Sequence, residues 1–298
     1  MQQINQPPAT ASGTFTIGGD LTVYRLGFGT MRLTGEGIWG PPANKQECIA
    51  VLRRALELGV NLLDTADSYG PGVSESLIAE ALYPYPKGLV IATKGGLVRP
   101  GPDQWIPDGR PAHLREALEG SLRRLRLERI DVYQFHRPDP KVPFEVSVGE
   151  LAKMRAEGKI RHVGISNVTI EQLAQAQKIV PIVTVQNHYN LANRQSEDMT
   201  VQQSEEMIDI CARQGIGFIP WFPLATGELA HSGGLLDQIA KRHNARPSQI
   251  ALAWLLMRSS TMLPIPGTSK VKHLEEDIAA ATIKLTKEEF DTLNRASE

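Results

Sequence analysis

Four ionisable side chains, Asp64, Tyr69, Lys94 and His136, fall at or just beyond the ends of apolar, strand-like runs. Those runs cover residues 60–63, 89–93 and 130–135. Because the carboxyl ends of parallel strands meet on one face of a barrel, we expect these four groups to converge. A phenol beside an ammonium, with a carboxylate and an imidazole close by, can donate a proton to a carbonyl oxygen. The sequence therefore predicts acid catalysis on a carbonyl compound.

The segments between these runs carry apolar residues at helical spacing, as at Ile49, Leu52 and Leu56. Three predicted helices are followed directly by a glycine, which can take the left-handed conformation that turns the chain into the next strand. These glycines are Gly59, Gly158 and Gly215. The pattern indicates strands that alternate with helices.

Eight short apolar runs are predicted to be strands, which favours an α/β fold of the (β/α)8 or TIM-barrel type. They lie at residues 26–28, 62–64, 90–92, 132–134, 162–165, 182–185, 217–219 and 263–265. Residues 14–17 and 21–24 flank a Gly-Gly-Asp turn and predict an N-terminal β-hairpin, which we expect to close the bottom of the barrel. No linker divides the chain, so we predict a flexible N-terminus over 1–12 and a single barrel domain over 13–298.

Composition is that of an ordinary enzyme, with 22% charged and 41% hydrophobic residues and a formal net charge of -1. A near-neutral chain without a basic stripe argues against nucleic acid as a partner. No apolar run approaches the roughly 18 residues that span a bilayer, and there is no signal pattern, so we expect a cytoplasmic protein without a membrane partner. Cys48 and Cys211 lack metal-ligand spacing and are expected to be buried free thiols, and no metal site is predicted.

The chain resembles the aldo-keto reductases over nearly its whole length. The resemblance rests on seven segments, each weak alone, whose joint order at the predicted strand ends is specific. These segments are residues 27–31, 64–70, 93–94, 135–137, 164–167, 186–187 and 264–270.

This resemblance implies NADPH-dependent reduction of an aldehyde or ketone to the alcohol. Tyr69 would be the acid that protonates the developing alkoxide, and Lys94 would lower the phenol pKa. Asp64 would pair with Lys94 and hold it in place, and His136 would orient the carbonyl oxygen. The alternative for each residue alone is packing, and a buried Asp–Lys pair can be purely structural.

In the family, polar residues hydrogen-bond the carboxamide of the nicotinamide. The resemblance assigns this role to Ser166, Asn167 and Gln186. Trp221 would stack on the nicotinamide ring, its alternative being a core aromatic. The resemblance extends the expected cofactor contacts to further positions on both sides of the barrel. These are Thr30, Met31, Asp64, Pro223, Leu224 and Gly267.

The phosphate end is expected at the start of a helix predicted over residues 272–281, where free backbone amides favour an anion. Thr268 and Lys270 would bind the 2′-phosphate, and Glu276 and Asp277 the adenosine. His273 and Asp277 depart from the arginine and asparagine that are frequent in the family, which leaves the strength of the NADPH preference over NADH open. There is no GxGxxG strand–turn–helix, so a Rossmann-type site is not predicted.

Segments 40–42, 69–72 and 81–85 resemble the bacterial pyridoxal reductase branch more than the aldose reductase branch. The loop over residues 222–227 is short, which predicts an open pocket lined by Met31, Trp39 and Phe222. Pyridoxal, or another small aromatic aldehyde, is the candidate substrate. Two alternatives stay open: a binding module with slow turnover that resembles a potassium-channel β-subunit, and a catalytically silent scaffold. The sequence does not fix the oligomeric state, the direction of the reaction or the substrate.

Overall fold

A curled parallel sheet forms the centre of the computed structural model, which describes residues 6–192, 204–224 and 234–296. Among these residues the strands are β1 (Thr14–Ile17), β2 (Leu21–Tyr24), β3 (Phe28–Gly29), β4 (Leu62–Asp64), β5 (Val90–Gly95), β6 (Leu97–Val98), β7 (Ile106–Pro107), β8 (Ile130–Phe135), β9 (Ile160–Ser166), β10 (Ile182–His188) and β11 (Gly217–Trp221). Strands β11, β10, β9, β8, β5, β4 and β3 lie side by side in that order, and every pairing is parallel. Their carboxyl ends therefore share one face.

An extended segment around Leu263 takes the eighth position. On one side the amide of Leu263 donates to the carbonyl of Phe218 in β11, at 2.8 Å. On the other side the amide of Gly27 donates to the carbonyl of Pro264, at 2.9 Å. Pro264 and Pro266 have no N–H to donate, so the ladder is too incomplete to count as a regular strand. These bonds still join the two edges of the sheet, and the predicted (β/α)8 barrel is confirmed.

The extended segment around Leu263 and strand β3 meet at a seam where the two backbones lie so close that both need glycine. A Cβ on Gly29 would lie 2.6 Å from the carbonyl oxygen of Ile265, and one on Gly267 would lie 2.5 Å from that of Gly29. Neither neighbour is a flexible side chain that could move away. Larger residues at either position would force the seam apart, next to the residues that end β4.

Helices cover the outside of the barrel and bury one apolar face each. They are α1 (Lys45–Glu57), α2 (Val73–Leu82), α3 (Pro111–Leu125), α4 (Phe144–Ala156), α5 (Ile170–Gln177), α6 (Ser204–Gln214), α7 (Leu235–Arg242), α8 (Pro247–Arg258), α9 (Val271–Ala279) and α10 (Lys287–Ala296). The helix predicted over 272–281 is shorter, because residues 280–282 tighten into a 3-10 turn. None of the helices among the described residues is long and apolar enough to cross a membrane.

The N-terminal hairpin closes the bottom of the barrel, as predicted. Strands β1 and β2 pair antiparallel, and Ile17 and Val23 are buried among apolar side chains that point into the barrel interior. The turn is tied to β9, because the Asp20 carboxylate lies 2.6 Å from Nε2 of His162 and accepts a hydrogen bond from Arg161.

Residues 8–12 correct the prediction of a flexible terminus. They form a 3-10 helix in which Ala9 is completely buried, and the amide of Ala9 donates to the carbonyl of Leu58 at the end of α1. The hydroxyl of Ser12 accepts from the amide of Leu26. Small side chains let this segment pack against the barrel, a contact that composition does not reveal. Residues 1–5 lie outside the described part of the chain.

Candidate active site

The four residues predicted to act together lie at or near the carboxyl ends of three neighbouring strands. Asp64 ends β4, Lys94 lies in β5, and His136 follows β8 directly. Tyr69 lies in the loop between β4 and α2. Its approach to Lys94 depends on that loop, which is fastened to β5 by the amide of Asp67 donating to the carbonyl of Lys94. The sheet order β4, β5, β8 therefore brings together the groups that the sequence singled out.

Lys94 is fully buried, and its ammonium uses all three of its donors. The acceptors are Oδ1 of Asp64 at 2.5 Å, the carbonyl of Thr65 at 2.8 Å and the hydroxyl of Tyr69 at 3.3 Å. Burial alone would lower the pKa of Lys94, but attraction to Asp64 and the contact with Tyr69 outweigh it, so the pKa is raised. The side chain therefore stays charged beside the phenol.

Both oxygens of the Asp64 carboxylate accept hydrogen bonds from protein groups. Its second oxygen, Oδ2, accepts from Nε2 of Gln186 at 2.8 Å and from Nε2 of Gln134 at 3.1 Å. A buried ion pair is costly unless its remaining polar atoms are satisfied, and these two amides satisfy them. The structure limits how Gln186 could bind a nicotinamide carboxamide, because its Nε2 is already directed at Asp64. Only its carbonyl oxygen is left to accept a bond from a ligand.

Lys94 acts on the pKa of Tyr69 in the predicted direction, but the net shift of that pKa is upward. Burial raises the pKa of this phenol, and the Lys94 charge offsets that increase only in part. Tyr69 is 7% exposed, which explains why desolvation of the phenolate dominates. The hydroxyl is consequently protonated at neutral pH, which is the form needed to donate a proton.

His136 is buried beside the phenol, with the two rings nearly perpendicular and their centroids 5.9 Å apart. Burial, and then the positive charges of Lys94 and Arg137, place the pKa of His136 well below its ordinary value. The imidazole is therefore neutral, and its Nδ1 lies 3.3 Å from the hydroxyl of Ser68. If Ser68 donates to Nδ1, the ring proton is on Nε2, where it can be donated to a carbonyl oxygen.

A cavity of about 360 Å³ opens at this end of the barrel, and Asp64, Tyr69 and His136 lie in its wall. Most of the residues proposed from the sequence for cofactor binding also line it. They are Thr30, Met31, Ser166, Asn167, Gln186, Trp221, Pro223, Leu224 and Gly267. The hydroxyl of Thr30 donates inward to the carbonyl of Asp64 and contacts Ser74, so it is not directed at a ligand.

Trp221 is a wall of this cavity and not a core residue. One face of its indole stacks on His188, with centroids 4.2 Å apart and an interplanar angle of 16°. Its Nε1 donates to Oδ1 of Asn167 at 3.1 Å. These two contacts fix the orientation of the indole, which leaves a rigid aromatic surface against which a planar ring could stack.

The residues predicted for the phosphate and adenosine end lie away from the cavity wall. Lys270 forms a partly exposed ion pair with Glu47 of α1, with Nζ and Oε2 at 2.6 Å. Glu276 pairs with Arg246. Asp277 is buried, and burial together with repulsion from Glu276 raises its pKa to about 7. The start of α9 has no side-chain cap, and Thr268 lies just before it.

Of the three residues predicted to contact the substrate, two line the cavity. Met31 and Phe222 line the cavity, whereas Trp39 does not; the centroid of its ring lies 5.9 Å from the guanidinium carbon of Arg99. Trp105 takes the place that was predicted for Trp39. Residues 225–227 of the loop after Phe222 lie outside the described residues, so the short lid stays a prediction.

Two contributors to the site escaped the sequence analysis. Gln134 had a recognisable signal, because a polar amide inside the apolar run 130–135 must satisfy its hydrogen bonds within the barrel. Trp105 had none, since it lies in an irregular loop with no periodicity. Across residues 6–192, 204–224 and 234–296, no group of three or more His, Cys, Asp or Glu side chains is arranged to hold a metal ion.

Comparison with known proteins identifies what the chain is similar to. The sequence model of the Aldo/keto reductase family matches residues 25–298. An uncharacterized oxidoreductase of Schizosaccharomyces pombe is 52% identical over 286 residues, covering 96% of this chain and 90% of that protein. Pyridoxine 4-dehydrogenase of Escherichia coli is 44% identical over 294 residues, covering 96% and 99%. The crystal structure of an aldo-keto reductase from Klebsiella pneumoniae in complex with NADPH has a TM-score of 0.79 at 27% identity and covers 95% and 94%.

Proposed function

The chain belongs to the aldo/keto reductase family, and from this premise we propose that it reduces small aromatic aldehydes to alcohols with NADPH, using Tyr69 as the acid. The observation that carries the proposal is the ammonium of Lys94, which contacts both Asp64 and the hydroxyl of Tyr69 beneath the cavity. An acid held by a buried cation at the wall of an apolar cavity suits protonation of a carbonyl oxygen. The same contact favours turnover over the binding-module and scaffold alternatives.

The residues present fit a nicotinamide cofactor. Trp221 offers a fixed stacking surface beside Asn167 and Ser166, which line the same cavity. At the other end, the uncapped amides of α9 and the side chains of Thr268 and Lys270 suit a phosphate group. When bound, NADPH supplies the hydride that the carbonyl carbon accepts.

Each residue of the site has a distinct task in this proposal. Tyr69 donates its proton to the carbonyl oxygen, and Lys94 stabilises the phenolate that is left. Asp64 keeps Lys94 charged and in place. The neutral imidazole of His136 donates a hydrogen bond that orients the carbonyl oxygen toward Tyr69. The alcohol then leaves, and Tyr69 regains a proton from solvent.

Lys270 is expected to select NADPH over NADH. In the Lys270→Ala variant, NADPH should bind about tenfold more weakly, because a charge-assisted contact to the 2′-phosphate is lost. This loss of NADPH affinity is near the smallest expected for a charge-assisted contact, because Lys270 must first break its ion pair with Glu47. NADH has no 2′-phosphate, so its dissociation constant should hardly change. Cofactor titration by intrinsic fluorescence measures both constants.

Lys45→Ala provides a matched control, because Lys45 forms a similarly exposed ion pair, but with Glu80 of α2 and not at the start of α9. It should leave both dissociation constants unchanged. Equal weakening of NADPH and NADH in Lys270→Ala would contradict the assignment of Lys270 to the 2′-phosphate.

Pyridoxal is the candidate substrate that the relatives and the cavity support together. The Escherichia coli relative is named for oxidation of pyridoxine, the alcohol that corresponds to pyridoxal. The cavity of about 360 Å³ is lined by aromatic side chains, which suit a small planar ring. NADPH consumption should be measured with pyridoxal, benzaldehyde, propanal and acetophenone, and the reverse reaction with pyridoxine and NADP⁺.

In this panel we expect aldehydes to be reduced much faster than acetophenone, with pyridoxal the best of them. Pyridoxal reacting no better than benzaldehyde would remove pyridoxal as the substrate and leave the reductase assignment in place. No NADPH consumption with any aldehyde would contradict the proposed function itself.

A further inference from the structure

The buried guanidinium of Arg99 lies against the half-buried indole of Trp105 beside the cavity. Arg99 follows β6, Trp105 precedes β7, and these two short strands pair as a hairpin above the barrel. The guanidinium carbon lies 3.5 Å from the centroid of the indole ring, and Arg99 is only 8% exposed. Such a contact between a desolvated guanidinium and an indole face is strongly attractive. The pair is therefore a fixed part of the structure.

Arg99 also joins three loops that surround the cavity. Its three nitrogens donate to four main-chain carbonyls, which a planar guanidinium can do without bending. The acceptors are Gln104 at 2.7 Å, Gly37 at 2.8 Å, and Ile38 and Ser68 at 3.1 Å. Gln104 precedes Trp105, and Ser68 precedes Tyr69. The side chain thus sets the position of the indole relative to the phenol.

The Trp105 ring packs edge-to-face near the rings of both Tyr69 and His136. Its ring is at 82° to that of Tyr69 with centroids 6.3 Å apart, and at 64° to that of His136 with centroids 6.4 Å apart. All three rings line the cavity. Because Arg99 covers one face of the indole, only the opposite face and the edge remain for a ligand.

We propose that Trp105, positioned by Arg99, is the specificity-determining wall that selects aldehydes whose carbonyl is conjugated to a planar ring. This inference rests on the proposed function. Conjugation keeps such a ring coplanar with its carbonyl group. The contacts of the oxygen with Tyr69 and His136 therefore fix the plane of the ring as well. A fixed indole can then stabilise it by stacking or edge-to-face contact, which a flexible aliphatic chain cannot match.

Trp39 offers an internal comparison for this wall. It lies 5.9 Å from the same guanidinium, but it does not line the cavity. A substitution there disturbs the surroundings of Arg99 without removing a ligand-facing surface. Trp39→Leu is therefore the matched control for Trp105→Leu.

The test compares kcat/KM for benzaldehyde with kcat/KM for propanal, two aldehydes that differ in the planar ring. Trp105→Leu should lower this ratio by about tenfold or more, through a raised KM for benzaldehyde, because the aromatic contact is lost. Trp105→Phe keeps a ring and should recover part of the ratio. Trp39→Leu should leave the ratio unchanged. Retained NADPH binding shows that each variant is folded.

Arg99 is tested as a positioning residue by a double-mutant comparison. Arg99→Met should lower the benzaldehyde-to-propanal ratio, and Arg99→Lys should do the same, since an ammonium lacks the planar fork. The double variant Arg99→Met/Trp105→Leu should have the ratio of Trp105→Leu alone, because Arg99 acts through Trp105. A further, additive fall in the ratio would overturn this role of Arg99.

The remaining outcomes are decisive for Trp105. An unchanged ratio in Trp105→Leu, or the same fall in Trp39→Leu, would overturn the specificity assignment while the proposed reductase function stands. A parent protein that reduces neither aldehyde would overturn the proposed function and this inference with it. If Arg99→Met does not fold, the Trp105 variants alone decide the matter.

Discussion

Tyr69→Phe is expected to abolish aldehyde reduction while leaving folding and NADPH binding nearly unchanged. Phenylalanine fills almost the same volume, so no cavity is created, but the proton that the carbonyl oxygen needs is gone. General acid catalysis contributes about 10²–10⁴-fold, and we expect a loss at or beyond the upper end because Lys94 holds no other phenol. The measurement is steady-state kcat/KM together with cofactor titration and thermal unfolding.

Tyr83→Phe is the control for removing a phenolic hydroxyl, because Tyr83 is 50% exposed and lies at the end of α2, outside the cavity wall. Its kinetics should equal those of the parent. An equally large loss of cofactor binding in Tyr69→Phe would mean that the tyrosine holds the cofactor, and would contradict its assignment as the acid.

Lys94→Met should have the second large effect, on activity and on stability together. The substitution keeps the length of the side chain but removes the charge that stabilises the phenolate of Tyr69. It also leaves Asp64, whose side chain is 2% exposed, as an uncompensated buried carboxylate. Breaking one side of such a pair costs about 3–5 kcal/mol in the free energy of unfolding. Denaturant unfolding and kcat/KM measure the two effects.

A double variant separates the two roles of Lys94. Lys94→Met/Asp64→Asn also removes the unpaired negative charge of Asp64, so it should recover much of the lost stability but none of the activity. Lys287→Met is the matched single control, because the pair of Lys287 with Asp291 is largely exposed and contributes little. Recovery of activity in the double variant would show that Lys94 acts only by neutralising Asp64.

The fold was largely predictable from the sequence because short-range patterns determine it. Apolar runs separated by helical stripes specify a parallel barrel, and the Gly-Gly-Asp turn specifies the N-terminal hairpin. What failed depends on contacts between distant segments. Ala9 and Ser12 are ordered because they pack against α1 and the chain near Leu26. No local pattern records those contacts.

The candidate site could likewise be predicted only in part. Strand ends place Asp64, Lys94 and His136 together, so their meeting could be predicted from position alone. The pKa of Tyr69 could not, because it depends on a balance between burial and the Lys94 charge. The exchange of Trp39 for Trp105 in the cavity wall likewise depends on how two loops pack around one arginine. These are properties of three-dimensional neighbours.

Donation of the proton to the carbonyl oxygen is assigned to Tyr69 and not to His136. The most direct test of this assignment is the single-turnover rate of NADPH oxidation with a saturating aromatic aldehyde, measured side by side in the parent, Tyr69→Phe and His136→Gln. We predict that Tyr69→Phe falls by at least about 100-fold, whereas His136→Gln, which keeps an N–H donor, falls much less. A Tyr69→Phe rate above about a tenth of the parent rate, with His136→Gln the slower variant, would contradict the account and make His136 the acid.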